Sequence, residues 1–193
     1  MPNHETNHVV VIGTEEQIKT LLEATVKPSP STENGHFFDF DGIVPSPPNK
    51  ETGGCSGKHA PGVVCWYAWN IDNWGTKWGA YDFDHEGMTL KVADLEAGLH
   101  LLYFTFQTAW SAPTPVFAAM EEEKFGVEVH AWTEDEGGFP PQVYGEPDLY
   151  LDIQGTKLVY DESIGEYGDD RPATQAEIDA DEAYTQWEVE LRD

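Results

Sequence analysis

Strand and helix patterns follow one another along residues 8–133 in an order that few folds accommodate. Residues 8–13 form a β-branched run that ends in glycine, which predicts a buried strand. Thr14 and Gln17 have the spacing of a capping box, and the apolar residues after them recur at helical spacing. We therefore expect a strand followed directly by an amphipathic helix over residues 15–26.

A second strand–helix–strand succession lies further along the chain. Residues 99–107 alternate in character, which predicts a strand with one buried face. Pro115 and Gly126 have the positions of start and stop signals for a helix over residues 114–124. Residues 127–132 alternate again and predict a half-buried strand. The two faces of the first strand are Leu102, Phe104 and Phe106 on one side, and Leu101, Tyr103 and Thr105 on the other.

The segments between these two successions are less regular. Residues 37–41, 80–84 and 88–92 each have a short strand pattern, and the Pro-, Gly- and Ser-rich residues 45–62 predict a loop. Residues 63–70 fit either a helical turn or a strand, and their pattern does not decide between the two.

The complete order, strand–helix–strand–strand–helix–strand, predicts an α+β fold. It is the order of a ferredoxin-like βαββαβ domain, with an antiparallel sheet and both helices on one face. We assign this domain to residues 1–145. Residues 146–193 are predicted to be a small acidic extension, with a hairpin within residues 149–160 and a helix over residues 175–190.

The charge of the chain limits its partners. There are 36 acidic and 10 basic residues, which gives a formal net charge of −26, and residues 121–193 hold 22 of the acids and four of the bases. Such a field repels nucleic acid and anionic membranes and attracts basic protein surfaces. We therefore expect no direct contact with nucleic acid or a membrane. The alternative interpretation is that the acidity serves solubility alone.

The cysteines and the N-terminus indicate a cytoplasmic protein. Cys55 and Cys65 are too few for a disulfide framework, and both thiols are expected to be reduced. No basic run followed by an apolar run resembles a signal peptide, and no apolar stretch approaches the ~18 residues of a membrane span.

Signatures of catalysis and of metal binding are weak. Cys55, His59 and Cys65 lie close in sequence, but the paired Cys-x2-Cys spacing of a structural zinc site is missing. Neither cysteine nor Ser111 lies in a recognisable nucleophile turn, and no glycine-rich phosphate loop follows a strand. We predict that the protein is not an enzyme and that it has no cofactor and no metal.

Two aromatic motifs, Asn-Trp-Gly-Thr-Lys-Trp at residues 73–78 and Thr-Ala-Trp-Ser-Ala-Pro at residues 108–113, lie in the strand-rich region. In one interpretation their tryptophans pack in the core and at the sheet edge, with Lys77 stacked on a ring. In the other they line a pocket for a ligand or a peptide. The residues of that pocket are Trp74, Lys77, Trp78 and Trp110.

These motifs, together with Met1-Pro2-Asn3, Asn7 and residues 38–45, carry a resemblance to a known family. Their order resembles that of the YubB-like family of phage and plasmid proteins. The resemblance covers residues 1–145 and implies a ferredoxin-like domain without an assigned chemistry. His4 and the acidic residues of the C-terminal part depart from the family's pattern.

Charge and resemblance together favour a phage- or plasmid-borne inhibitor. Its carboxylates would stand in for phosphates on a basic, nucleic-acid-binding host protein, as in anti-restriction or anti-CRISPR proteins. The alternative is a small-ligand- or metal-binding accessory domain that uses the Trp-lined pocket. The contact residues expected for the inhibitor are all acidic: Glu134, Asp135, Glu136, Asp161, Glu162, Asp169, Asp170, Glu177, Asp181, Glu182 and Glu188.

Overall fold

The computed structural model describes residues 3–29, 35–51, 61–94, 98–145, 150–151, 157–161 and 166–171. The helices are α1 (Glu15–Thr25), α2 (Trp66–Trp74) and α3 (Thr114–Glu121), and a 3-10 helix spans Phe40–Gly42. The strands are β1 (His4–Thr14), β2 (Val26–Pro28), β3 (His36–Phe38), β4 (Thr89–Asp94), β5 (Leu99–Ala109), β6 (Glu128–Asp135), β7 (Val143–Tyr144), β8 (Tyr150–Leu151), β9 (Lys157–Asp161) and β10 (Glu166–Arg171).

The main sheet has five strands in the order β4-β5-β1-β6-β7, and each neighbouring pair is antiparallel. The central strand is β1, which pairs with β5 along its whole length and with β6 from Glu5 to Ile12. Val9, for example, lies between Phe104 and Ala131. The predicted α+β class is confirmed, with an antiparallel sheet. Two smaller sheets have the orders β2-β3 and β10-β9-β8.

Alternate residues of the strands bury one face of the main sheet under the helices. Val9, Leu102 and Phe104 belong to one apolar core that includes residues of α1, α2 and α3. Leu101 and Tyr103 belong to a second, smaller cluster, as predicted from the alternation of β5. We call the face that carries this second cluster the outer face. The helical residues of the core are Ile18, Leu21, Leu22, Trp74, Val116, Phe117 and Met120.

The capping box at the start of α1 forms as predicted. Thr14 Oγ1 accepts a hydrogen bond from the Gln17 N–H at 3.3 Å, and Gln17 Oε1 accepts one from the Thr14 N–H at 2.8 Å. The helix ends at Thr25, whose hydroxyl donates to the Leu21 carbonyl. The Gln17 side chain also donates to the Gly126 carbonyl at 2.7 Å, which ties the start of α1 to the turn after α3.

The other two helices differ in length from the sequence patterns. α3 ends at Glu121, three residues earlier than predicted, and the Gly126 N–H donates to the Glu122 carbonyl at 2.8 Å in the turn that follows. Residues 63–70, which the sequence left undecided, contain the start of α2 at Trp66. None of the helices in the described part of the chain is long and apolar enough to cross a membrane.

The prediction of a strand over residues 37–41 is wrong for the second half of that range. β3 ends at Phe38 because the Asp39 side chain accepts a hydrogen bond from the Asp41 N–H and caps the 3-10 helix. Asp and Asn side chains favour such local bonds over an extended ladder.

The strand predicted over residues 80–84 does not form. Tyr81 makes a single isolated bridge with Gln107 of β5, and Asp82 then has a φ of 47°. A left-handed residue interrupts the extended backbone, so no ladder continues from Tyr81, although the Asp84 N–H still donates to the Thr105 carbonyl of β5 at 3.1 Å.

In the C-terminal part, β8 and β9 pair antiparallel, as expected for the predicted hairpin. β10 pairs with β9 and was not predicted, because its Gly168, Asp169 and Asp170 are poor strand formers. The helix predicted over residues 175–190 lies outside the described residues. The boundary after residue 145 stays a prediction.

Phe104→Ala tests the assignment of the core. Phe104 is 1% exposed and its ring lies 5.0 Å from that of Phe38. We expect a loss of about 3–5 kcal/mol, which is a large part of a total stability of about 5–15 kcal/mol. The matched control is Thr105→Ala, one residue along β5 on the outer face. A soluble Phe104→Ala protein with an unchanged melting temperature would show that Phe104 is not part of the core.

Candidate functional site

The first aromatic motif begins inside α2 and ends that helix. Gly75 caps α2 with a φ of 78°, and its N–H donates to the Asn70 and Ile71 carbonyls. A Cβ at this position would lie 2.7 Å from Cδ of Pro115 in α3. Glycine is therefore required at position 75 both by its left-handed backbone and by the close approach of α3.

Thr76 fastens the first motif to the second. Its side chain is buried, its hydroxyl donates to the Ala109 carbonyl at 2.8 Å, and it accepts from the Ala109 N–H at 3.2 Å. Ser111 Oγ donates to the Gly75 carbonyl at 2.5 Å. We call this set of bonds the motif latch. It joins the end of α2 to the end of β5, so most polar groups of the motifs serve structure.

The four residues of the predicted pocket divide into two places. Trp74 is buried in the core, where its indole N–H donates to the Val44 carbonyl at 3.0 Å. Lys77, Trp78 and Trp110 come together at the surface, with Lys77 Nζ 4.7 Å from the Trp78 ring and 4.8 Å from the Trp110 ring. Lys77 is thus stacked on aromatic rings, and the three tryptophans do not line a single cavity.

Trp110 has an unusual backbone and an unusual exposure. Its φ is 75°, a conformation that costs a bulky residue about 1–3 kcal/mol, and its side chain is 41% exposed. Tyr67, 38% exposed, meets it edge to face at 6.1 Å. We call Tyr67, Trp78 and Trp110 the aromatic ridge. Aromatic side chains presented in this way are the usual anchors of protein interfaces.

Three of the predicted contact residues meet in a depression on the outer face. Glu134, Asp135 and Glu136 line a cavity of about 430 Å³ at the end of β6. We call this depression the acidic hollow. Its other lining residues are His4, Thr6 and Gln107.

Asp135 is held in place by the turn that follows β6. Its carboxylate accepts hydrogen bonds from the Gly137 N–H at 2.7 Å and from the Asn3 amide at 3.2 Å. Burial opposes its ionisation, but these bonds and a weaker one from the Phe139 N–H outweigh burial and keep the pKa of Asp135 below its ordinary value. The carboxylate therefore remains charged at mildly acidic pH.

Asn3 connects the acidic hollow with the aromatic ridge. Its carbonyl accepts from the Trp110 N–H at 3.1 Å, while its side chain donates to Asp135. Next to it, the His4 ring and the Tyr81 hydroxyl form a hydrogen bond of 2.5 Å. Burial and then the charges of Asp82 and Glu136 raise the pKa of Tyr81 to about 12. Hollow and ridge thus form one continuous surface.

Glu5 lies behind the hollow and was missed by the sequence analysis. It is 3% exposed, it faces Asp135 across the β1–β6 pair, and its Oε1 accepts from the Gln142 amide at 3.4 Å. Burial raises the pKa of Glu5, and the Asp135 carboxylate adds to that effect. The sequence signal that could have found Glu5 is its spacing from Val9, which places both residues on the same face of β1.

His8 was also missed, although it lies on the outer face beside the hollow. Its ring stacks on Trp132 at 4.6 Å, and its Nδ1 lies 2.8 Å from the Tyr103 hydroxyl. Its Nε2 is 3.6 Å from Glu134 Oε1. Burial lowers the pKa of His8, and the Glu134 charge opposes that effect in part. His8, Tyr103 and Trp132 form an aromatic stack on three adjacent strands.

Three of the other predicted contact residues lie on described strands of the small C-terminal sheet. Asp161 ends β9, and Asp169 and Asp170 lie on β10. The remainder, Glu162, Glu177, Asp181, Glu182 and Glu188, lie outside the described residues.

The expectation that both thiols are reduced is wrong, because Cys65 is disulfide-bonded. The other cysteine of the sequence, Cys55, lies outside the described residues, as does His59. A disulfide sulfur is not the thiolate that zinc requires, which removes Cys65 from the weak metal candidate. Within the described ranges no group of three or more His, Cys, Asp or Glu is arranged to hold a metal ion.

Thr76→Val tests the motif latch, because it keeps the shape of the side chain and removes the hydroxyl. Two buried backbone groups of Ala109 then lose a partner, at about 1–3 kcal/mol for each unsatisfied group. Chemical denaturation should show this loss for Thr76→Val and not for Thr105→Val, which changes a half-buried position of β5. Equal stabilities of the two variants would show that the latch contributes nothing.

Glu5→Gln tests the buried carboxyl by its pH dependence. Because the pKa of Glu5 is raised in the folded protein, its ionisation destabilises the fold at pH values above that pKa. The variant should melt higher than the unmodified protein at pH 7–8, and the difference should vanish as the pH falls towards ~4, where both chains are uncharged at this position. Glu122→Gln, at an exposed site, should show no such trend. A Glu5→Gln protein that is less stable at neutral pH would contradict the assignment.

Comparison with models of protein families, with curated proteins and with solved structures finds no significant match for this chain. The resemblance to the YubB-like family therefore stays a prediction from the motif residues.

Proposed function

We propose that this protein is a phage- or plasmid-borne, non-enzymatic inhibitor that binds a basic, nucleic-acid-binding host protein. The supporting observation is the acidic hollow, where Glu134, Asp135 and Glu136 line one cavity that Asn3 connects with Trp110 of the aromatic ridge. Carboxylates in this setting can occupy the Arg- or Lys-lined groove in which the host protein would otherwise hold phosphates. The inhibitor thus acts as a nucleic-acid mimic of the anti-restriction or anti-CRISPR type.

In this proposal the net charge raises the association rate, and the aromatic ridge slows dissociation of the complex. A net charge of −26 attracts a basic surface over long distances and raises the association rate at low salt. Pair by pair, exposed charges contribute only about 0–1 kcal/mol. Buried aromatic anchors contribute more, and Tyr67 and Trp110 are available for that role.

Direct binding of nucleic acid is the less favoured use of this surface. The stack of His8, Tyr103 and Trp132 resembles the aromatic platforms on which single-stranded RNA bases stack. However, Glu134 lies next to the stack, and a phosphate backbone needs a basic track beside its bases. The charge therefore selects a basic protein over an RNA strand.

We also propose that residues 1–145 are a ferredoxin-like domain. The sheet order β4-β5-β1-β6 supports this, with α1 between β1 and β4 and α3 between β5 and β6 in the chain. In this proposal residues 26–88, which include β2, β3 and α2, are an insertion after α1. β7 is an added fifth strand, and residues 146–193 are the acidic extension. Such a domain agrees with the YubB-like resemblance.

The proposed place of action is the cytoplasm of the bacterial host, where restriction and CRISPR proteins meet foreign DNA. The disulfide at Cys65 is unusual for that compartment, where thiols are kept reduced.

The second candidate is an accessory domain that binds a small ligand. The observation in its favour is the exposure of Trp110 and Tyr67, since aromatic faces also bind organic ligands. The core position of Trp74 weakens this candidate, because it removes one wall of the predicted Trp-lined pocket.

Capture followed by competition tests the proposal. The full chain, immobilised, is exposed to a nuclease-treated bacterial lysate at low salt, and retained proteins are eluted with rising salt. Each is then assayed for binding to duplex DNA with and without the free full chain. We expect a retained protein whose DNA binding is blocked in proportion to the added chain. Retention without competition would contradict the proposed mimicry.

Neutralising Glu134 and Glu136 tests the hollow. The double variant Glu134→Gln/Glu136→Gln should slow association with the captured protein several-fold at ~50 mM salt, and the difference should shrink at ~500 mM because salt screens the charges. The matched control, Glu122→Gln/Glu123→Gln, removes the same charge from exposed residues just after α3. Equal slowing by both pairs would indicate that net charge alone matters.

The same assay distinguishes the C-terminal acids. Neutralising Glu177, Asp181, Glu182 and Glu188 together should slow association steeply, whereas any one of them alone should have little effect. If the quadruple variant associates and inhibits at the original rate, those residues serve solubility and the partner contact is confined to the hollow and the ridge.

A further inference from the structure

One oxygen of the Glu5 carboxyl group is buried without a hydrogen bond. Glu5 is 3% exposed and lies on the face of β1 that also carries Val9. Its Oε1 accepts a hydrogen bond from the Gln142 amide at 3.4 Å, but its Oε2 has no partner in the described part of the chain. A buried carboxylate oxygen that is left unpaired is costly, because burial removes the water that would solvate its charge. A neutral carboxyl group avoids that cost, and its O–H is a hydrogen-bond donor.

The Asp135 carboxylate has room for such a donor. Glu5 and Asp135 are directly opposite each other in the β1–β6 pair, and their carboxyl groups lie within hydrogen-bonding reach. Asp135 Oδ1 accepts from the Gly137 and Phe139 N–H groups at 2.7 and 3.4 Å. Within the described residues, Oδ2 accepts a bond of 3.2 Å from the Asn3 amide. Because a carboxylate oxygen has two lone pairs, Oδ2 can accept one more bond.

We propose that Glu5 is a positioning residue of the acidic hollow, which keeps its proton in the folded chain and donates a hydrogen bond from Oε2 to Asp135 Oδ2. This bond gives the unpaired oxygen a partner, and it is of the strong kind in which one of the two groups is charged. It joins the start of β1 to the end of β6 and fixes the Asp135 carboxylate at the wall of the hollow.

The surroundings of Glu5 favour its neutral form. Asp135 is the titratable group that faces it from β6, whereas β5 places the uncharged Thr108 opposite it on the other side. Burial raises the pKa of Glu5, and the Asp135 carboxylate raises it further. Hydrogen bonds from Thr133 and Gln142 offset part of this rise. The bond to Asp135 is therefore present at low pH and is lost as the pH rises through the raised pKa of Glu5.

The two carboxyl groups thus have different roles, one as a neutral donor and the other as a charged acceptor. Burial opposes the ionisation of Asp135, but the Gly137 N–H and further donors, Glu5 among them, keep its pKa low. A partner that docks in the hollow therefore meets the carboxylates of its wall without a further charge behind them. The inference does not depend on the proposed function, because it concerns one proton within the free chain.

Carbon-13 NMR of the full chain, labelled at the carboxyl carbons of its glutamates, tests the proposal. The Glu5 signal, assigned by its loss in Glu5→Gln, is followed from pH ~8 down to pH ~5, where exposed glutamates remain largely ionised. We expect a midpoint above those of the exposed glutamates, because the folded chain stabilises the protonated form. Titration of Glu5 together with the exposed glutamates would overturn the proposal.

Two variants that each remove one carboxylate distinguish a hydrogen bond from a general electrostatic field. Asp135→Asn replaces the charged acceptor by an amide that can donate to an ionised Glu5, so the Glu5 midpoint should fall. The matched control, Glu134→Gln, removes the same charge from the adjacent residue of β6, which points to the opposite face, and should leave the midpoint nearly unchanged. A midpoint that does not move in Asp135→Asn, or that falls equally in both variants, would contradict the proposed bond.

Two neutral replacements of Glu5 test the donor itself. The amide of Glu5→Gln can donate to Asp135, whereas the side chain of Glu5→Met has a similar length and no donor. Glu5→Gln should therefore melt higher than Glu5→Met, and the difference should largely disappear when each is combined with Asp135→Ala. Equal melting of the two single variants, or a difference that persists without Asp135, would show that Glu5 does not donate to Asp135.

Discussion

The pairing of β1 with strands on both sides is the constraint on which the rest of the structure depends. Because side chains alternate along a strand, the register of β1 commits Val9 and Val11 to the helix-covered core and His4, Thr6 and His8 to the outer face. A shift of one residue would exchange these sets. The acidic hollow exists because β6 places Glu134 beside Thr6 and Asp135 beside Glu5, near the start of β1.

The two aromatic motifs acquire a physical explanation in this setting. They do not line a common cavity. Instead, the motif latch of Thr76, Ala109 and Ser111 joins the two motifs and fixes α2 against the end of β5. That attachment fixes the position at which the chain leaves the end of β5. The exposed rings of the ridge are thus presented by a rigid base, and a rigid base reduces the entropy that a partner must overcome on binding.

Local patterns predicted the local structure well. The capping box of Thr14 and Gln17 and the alternation through Phe104 depend on neighbours in sequence, and both are present as predicted. The strand expected over residues 80–84 failed because Asp82 takes a left-handed conformation that alternation cannot reveal. α2 stayed undecided because a short run rich in aromatics fits a helix and a strand equally well.

The candidate site was harder to predict because it is assembled over long distances in sequence. Charge alone pointed to Glu134, Asp135 and Glu136, yet Asn3 and Glu5 reach Asp135 only through strand pairing across about 130 residues. Trp74 and Trp78 are four residues apart and lie in different environments, since α2 ends at Gly75 between them.

The backbone of Trp110 has a consequence for how this position can change. Glycine would adopt the same left-handed conformation without strain, so folding stability by itself favours glycine there. Replacement by glycine would also remove the largest exposed ring of the ridge and one of the two faces on which Lys77 rests. At position 110 glycine would therefore suit the fold better, whereas tryptophan suits the surface of the ridge better, and the sequence has tryptophan there.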